Sequence, residues 1–197
     1  MTKVVAIMSM SLDGYVADEN DGVAEVFDWY FSGDVEVPTA STTSGMTFHV
    51  SGLSAEHLRG LQAEVGAMLT GRRTFEVADG WGGQHPWDVP AFVVTHRVPA
   101  GWPRPGSTVQ FVTDGLESAV ARAKTAAGPK SVGVHGAQTI QQCLDAGFLD
   151  EIHIDPEECG CSPTSRVHRS SSGIRQSSPV WVSRICDTPC TRGRPSG

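Results

Sequence analysis

The chain has 197 residues, 39% of them hydrophobic, with 15 Lys and Arg against 22 Asp and Glu for a formal net charge of −7. That length suits one domain able to bury a core, and the acid excess argues against a general nucleic-acid binder, whose surface carries the opposite sign. No stretch reaches the ~20 apolar residues that cross a bilayer, and Asp13 interrupts the N-terminal apolar patch too early for a signal peptide, so a cytoplasmic protein with no membrane partner is expected.

Lys3 to Ser9 is apolar and partly β-branched, and reads as a first strand, with Asp13-Gly14 as a turn after it. Residues 18 to 52 read mostly as loop, interrupted by the aromatic patch Phe27-Asp28-Trp29-Tyr30-Phe31. Ser54 is placed to cap a helix, with His57 where a capping box would want Glu and with Leu58, Leu61, Val65 and Met68 on its apolar face. A strand Ala67 to Thr70 follows, then a short helix Arg72 to Ala78, then strands Ala91 to Thr95 and Thr108 to Thr113. Asp114 reads as the cap of a helix running to Lys124. Ser131 to His135 is a strand, Gly136 a turn, Thr139 to Ala146 a helix and Glu151 to Ile154 a last strand. Strands alternating with helices predict a three-layer α/β domain with a largely parallel sheet.

The composition changes near residue 156. From Cys159 to Gly197 there is one acidic residue, Asp187, and no Leu or Ala, while Ser, Arg, Pro, Gly and Cys dominate. Such a segment is a poor core former. The chain therefore divides into a domain over residues 1–155 and an atypical tail over 156–197. Two readings of the tail stand, a divergent natural extension and a shifted reading frame. Four of the five cysteines lie in it, and Cys159, Cys161, His168, Cys186 and Cys190 lack the spacing of a common zinc finger. No metal is expected.

In parallel α/β sheets, ligands bind beyond the carboxyl ends of the strands. Three expected strand ends carry chemistry suited to phosphate. Gly71-Arg72-Arg73-Thr74 joins a strand to a helix start, where amide N–H groups favour an anion and Arg and Thr add charge-assisted bonds. Thr95-His96-Arg97 places polar and basic groups where a ribose phosphate could sit. Gly136-Ala137-Gln138-Thr139 combines small residues with a helix start, so a diphosphate could approach the backbone. Each has an ordinary alternative: a solvated arginine pair, a surface turn before Pro99, and a tight turn. Their order on one α/β layout favours a nucleotide.

Five segments carry a family resemblance: Met10-Ser11-Leu12-Asp13-Gly14-Tyr15-Val16-Ala17, Gly71-Arg72-Arg73-Thr74-Phe75-Glu76, Phe92-Val93-Val94-Thr95-His96-Arg97, Gly136-Ala137-Gln138-Thr139 and Leu149-Asp150-Glu151-Ile152-His153-Ile154. On these the chain resembles the family of dihydrofolate reductase and the RibD C-terminal reductase domain. The resemblance implies a dihydrofolate reductase-like three-layer fold with a mixed, mostly parallel central sheet, from which the C-terminal strands are atypical or missing. It implies NADPH as cofactor and hydride transfer to a small pterin-, pyrimidine- or flavin-like heterocycle, as in a 5-amino-6-(5-phosphoribosylamino)uracil reductase of riboflavin biosynthesis. Gly71, Arg72, Arg73 and Thr74 would meet the cofactor phosphates; Thr95, His96 and Arg97 the adenosine ribose and its 2′-phosphate; Gly136, Ala137, Gln138 and Thr139 the diphosphate. Ser11, Gly14 and Trp29 would border the substrate, with Asp13 and Asp28 as proton-handling groups. A homodimer is implied as well. The competing expectation is a non-catalytic nucleotide- or flavin-binding module, or an inactive truncated relative.

Overall fold

The computed structural model describes residues 2–11, 14–41, 46–156 and 165–168. Its centre is a seven-stranded sheet in the order β6-β5-β4-β7-β1-β8-β9. The strands are β1 (Val4–Met10), β4 (Val65–Gly71), β5 (Ala91–Val94), β6 (Val109–Val112), β7 (Ser131–His135), β8 (Glu151–Pro156) and β9 (Ser165–His168). Each neighbouring pair is parallel except β8 with β9, which is antiparallel. The sheet is thus mixed and mostly parallel, and the carboxyl ends of β1, β4, β5, β7 and β8 share one edge. Of the C-terminal part, four residues form β9, which pairs Ile152 with Val167 and Ile154 with Ser165. Apart from Pro156 at the end of β8, the rest of the atypical tail lies outside the described residues, as does Asp13.

Period-two alternation sorts the strands onto two cores. Val4 and Ala6, Ala67 and Leu69, Phe92, and Val132 and Val134 turn to one face, where they meet Ala119, Val120 and Ala123 of α4 (Leu116–Ala127) and Cys143 of α5 (Ala137–Asp145). Val5 and Ile7, Met68, Ala91 and Val93 turn to the other, against Ala55, Leu58 and Leu61 of α2 (Gly52–Glu64) and Phe75 of α3 (Arg72–Val77). A sheet covered on both faces needs near-continuous apolar strands, which these are. Burial pushes the Cys143 thiol up to about 11, which leaves it a core side chain rather than a reactive one.

Local structure departs from the sequence-based expectations in four places, the first being that α2 ends at Glu64, so that Val65 and Met68, expected on its apolar face, belong to β4. The stretch expected as loop over residues 18 to 52 holds α1 (Ala24–Phe27), a 3-10 turn (Asp28–Tyr30) and a two-stranded antiparallel sheet of β2 (Val35–Pro38) and β3 (Thr47–Val50). Those strands are only four residues each, too short to stand out among Gly, Ser and Thr. Ser51, not Ser54, caps α2: its Oγ accepts the Ser54 N–H at 3.2 Å. Asp114 does not cap α4, whose first flanking residue is Gly115; its carboxylate instead accepts from Ser118 Oγ at 2.9 Å and Arg122 Nη2 at 2.7 Å.

Candidate functional site

Two of the expected phosphate turns are packed side by side. Thr70, at the end of β4, stands opposite His135 at the end of β7, and its hydroxyl donates to the His135 carbonyl at 3.2 Å. Just beyond, α3 starts at Arg72 and α5 at Ala137. The approach is so close that a Cβ on Gly71 would stand 2.7 Å from Thr139 Oγ1, and one on Gly136 would collide with Thr74 Oγ1. Gly136 also has φ +89, a backbone conformation that other residues rarely adopt. The first bond of α5 runs from the Ile140 N–H to the Gly136 carbonyl at 2.9 Å. The amides of Ala137, Gln138 and Thr139 precede it and, as at any helix start, point out of the helix.

The third turn lies one strand further out. Thr95 Oγ1 donates to the Arg97 carbonyl at 2.8 Å and accepts the Arg97 N–H at 3.3 Å. That closes a tight turn and leaves the His96 and Arg97 side chains exposed. Arg72 and Arg73 are exposed too, and both have partners: Arg72 Nε is 2.7 Å from Glu76 Oε1, and Arg73 pairs with Asp21. Exposed pairs of this kind hold little free energy, roughly 0–1 kcal/mol. A phosphate offering charge-assisted, bidentate bonds would compete with them at small cost.

The residues expected near substrate are distributed unevenly. Ser11 Oγ accepts the Tyr15 N–H at 2.9 Å, and its carbonyl accepts the Gly14 N–H at 3.0 Å, so Ser11 and Gly14 form one turn after β1. Asp28 is exposed on the 3-10 turn. Trp29 is only 5% exposed; its indole N–H donates to Ser9 Oγ at 3.0 Å and its ring stacks on Tyr30 at 3.8 Å between centroids. Phe31, by contrast, is 53% exposed.

Beside these turns, on the sheet face that packs against α2, lies a buried polar cluster that sequence reasoning missed. Asp155 closes β8 opposite Ser9 of β1 and is 3% exposed. Its Oδ1 lies 2.8 Å from Nε2 of His57 on α2. Its Oδ2 is buried with no hydrogen-bond partner among the described residues. Burial, and then the nearby Asp155, push the Tyr30 hydroxyl well above the usual phenol range against a hydrogen bond with Ser9. Burial lowers His135 to about 4, with Asp155 opposing. His85 falls well below the ordinary imidazole range through burial and then His135. Both imidazoles are therefore neutral at pH 7. The His85 ring lies 6.1 Å from that of His135 and 5.1 Å from Trp81, and the Trp87 ring 6.2 Å from His135. A signal existed: in Glu151-Ile152-His153-Ile154-Asp155 every second residue is ionisable, which marks one face of that strand as polar.

A row of small and polar turns over helix starts, next to a buried polar cluster at the same sheet edge, suits an extended nucleotide with a second ligand beside it. The model of the RibD C-terminal domain matches residues 2–155. The chain belongs to the RibD C-terminal domain family. Among solved structures it is similar to a protein from Shewanella sp. PV-4 described as a candidate in riboflavin biosynthesis, at 25% identity and a TM-score of 0.52, over 79% of this chain and 76% of that one. A dihydrofolate reductase from Enterococcus faecalis, complexed with NADP(H) and RAB-propyl, matches at 15% identity and a TM-score of 0.46, over 78% of this chain and 70% of that one. No curated protein matches the chain. Among the described residues there is no group of three or more His, Cys, Asp or Glu that could hold a metal ion, and no helix long and apolar enough to cross a membrane. The tail cysteines lie outside the described residues.

Proposed function

We propose that this chain is an NADPH-dependent reductase that transfers hydride to a small pterin-, pyrimidine- or flavin-like heterocycle. The observation that carries the reading is the locked pair of strand ends, Gly71–Thr74 against Gly136–Thr139, with the helix-start amides of α5 beside them. The donor set fits the cofactor. Ala137, Gln138 and Thr139 would hold its diphosphate through amide N–H groups, and Thr74 and the two arginines that follow Gly71 would add side-chain bonds. Arg97 and His96 are exposed one strand away, where a 2′-phosphate would reach them. The bound cofactor supplies the hydride; the chain's part is to align it, exclude water and deliver a proton. Membership of the RibD C-terminal domain family supports the reductase class.

A thermal-shift titration with NADPH and NADH tests this, since a ligand that binds only the native state at 100 times its Kd stabilises it by about 2.7 kcal/mol. NADPH should raise the melting point at lower concentration than NADH. Oxidation of NADPH is then followed with dihydrofolate, 5-amino-6-(5-phosphoribosylamino)uracil and FMN as acceptors. Well-folded protein that ignores NADPH would overturn the proposal. Saturable binding with no oxidation by any of the three would favour a non-catalytic nucleotide-binding module.

A further inference from the structure

Reduction of a C=N or C=O group needs a proton as well as a hydride, and the buried cluster contains a group placed to give it. Asp28 is exposed on its turn. Asp155 is buried at the carboxyl end of β8, on the edge where ligands bind in such sheets. One of its oxygens is held by His57 at 2.8 Å, and the other has no partner among the described residues. A buried carboxylate oxygen without a bond costs free energy unless something else satisfies it. His57 is not sealed in: 14% of its side chain reaches solvent. The pair therefore spans from water to the interior of the site.

We propose that Asp155 and His57 are the proton-delivering pair of this site, with the second Asp155 oxygen touching the reacting heterocycle and His57 linking it to solvent. This rests on the reductase reading above. In the step, the acceptor carbon takes a hydride, with its two electrons, from the reduced nicotinamide, which becomes oxidised. The C=N or C=O π bond breaks, and the acceptor nitrogen or oxygen takes a proton that water supplies through the His57 ring and the Asp155 carboxylate passes on. The groups that face Asp155 from other elements fit this role. Ser9 of β1 accepts the Trp29 indole N–H, and Tyr30 of the 3-10 turn keeps its proton. His135 of β7 is neutral at pH 7. His153 and Glu151 lie earlier on β8 and face one another at 3.4 Å, with Lys3 on Glu151 at 2.6 Å.

The test uses the full chain with Asp155→Asn and His57→Gln. In protein labelled at histidine nitrogens, the His57 ring signals (assigned by their loss in His57→Gln) should move in Asp155→Asn. Both variants should keep the NADPH-induced thermal shift. With whichever of the three acceptors the wild type reduces, Asp155→Asn should lower kcat about 100-fold and flatten the pH–rate profile, and His57→Gln should lower it about tenfold. If Asp155→Asn fails to fold, His57→Gln carries the test through kcat and the pH profile. Wild-type turnover in either variant, His57 signals indifferent to Asp155→Asn, or a wild type that binds NADPH but reduces none of the acceptors would overturn the pair and leave cofactor binding standing. Failure of the folded wild type to bind NADPH would instead remove the reading beneath it.

Discussion

The ends of β4, β5 and β7 and the buried face beside them are built on opposite plans. The first region is made of backbone and short side chains: glycines where a Cβ would collide, hydroxyls, helix-start amides, and arginines in exposed pairs. Its charges are solvated, so each counts for little alone and the shape of the turns matters most. The second region is made of ionisable side chains removed from water: Tyr30, His57, His85, His135 and Asp155. There, burial holds the proton on Tyr30 and keeps one off His85 and His135, and a change of charge on them is costly. On the proposed function, one sheet edge would serve two kinds of ligand chemistry, an anion gripped by geometry and a reacting heterocycle met by desolvated groups.

Breaking the shape of the first region should have the largest effect. Gly136→Ala combines a disfavoured φ with a clash against Thr74. It should cost about 3 kcal/mol in urea unfolding, from strain and overpacking together, and abolish the NADPH-induced thermal shift. A milder loss there, with NADPH binding intact, would show that the two turns can separate freely.

The buried region should instead respond to acid. The unfolded His135 imidazole titrates at 6.5 and the folded one at about 4, so the unfolded state takes up the proton first. Its contribution to stability is complete above pH 6.5 and drains away as pH falls through the folded value. Between pH 7 and pH 5 the loss should be about 2 kcal/mol. His85 acts in the same direction. Urea midpoints at the two pH values would show it, and His135→Gln should remove most of the slope. An unchanged slope in that variant would place the acid-sensitive group elsewhere.

Side-chain changes around the turns should be smaller. Arg97→Ala should weaken NADPH about tenfold, or about 1.4 kcal/mol, and leave NADH unchanged by calorimetry; equal losses would show that Arg97 does not read the 2′-phosphate. Ser51→Ala removes the cap of α2, the helix that carries His57, and should cost about 1 kcal/mol in thermal unfolding. Glu76→Gln breaks the exposed pair with Arg72 and should change stability by less than about 0.5 kcal/mol. A larger change would mean that the pair organises the start of α3.

The three strand-end turns were legible as turns because each is local. Gly71 to Thr74, Thr95 to Arg97 and Gly136 to Thr139 are runs of three or four residues, and a strand followed by a helix start can be read from hydrophobic periodicity. What those runs hid was their mutual approach, since Gly71 gives no sequence sign that Thr139 lies over it. The aromatic patch was legible as a feature but not in its detail. Phe31 is exposed, whereas Trp29 turns inward to Ser9 and Tyr30, and nothing in five consecutive residues tells the two apart.

By itself the sequence determined the alternation of strands and helices, the parallel character of the sheet and the glycines at its working edge, because periodicity and backbone permissiveness act over a few residues. The tertiary structure alone assembled the buried polar cluster. Ser9, Tyr30, His57, His85, His135 and Asp155 come from six separate segments, and His57 and Asp155, 98 positions apart, meet at 2.8 Å only because α2, which carries His57, packs across the sheet that carries Asp155. For Tyr30, His85 and His135, protonation follows from burial rather than from residue type. No local pattern can encode desolvation that depends on how distant elements close over one another.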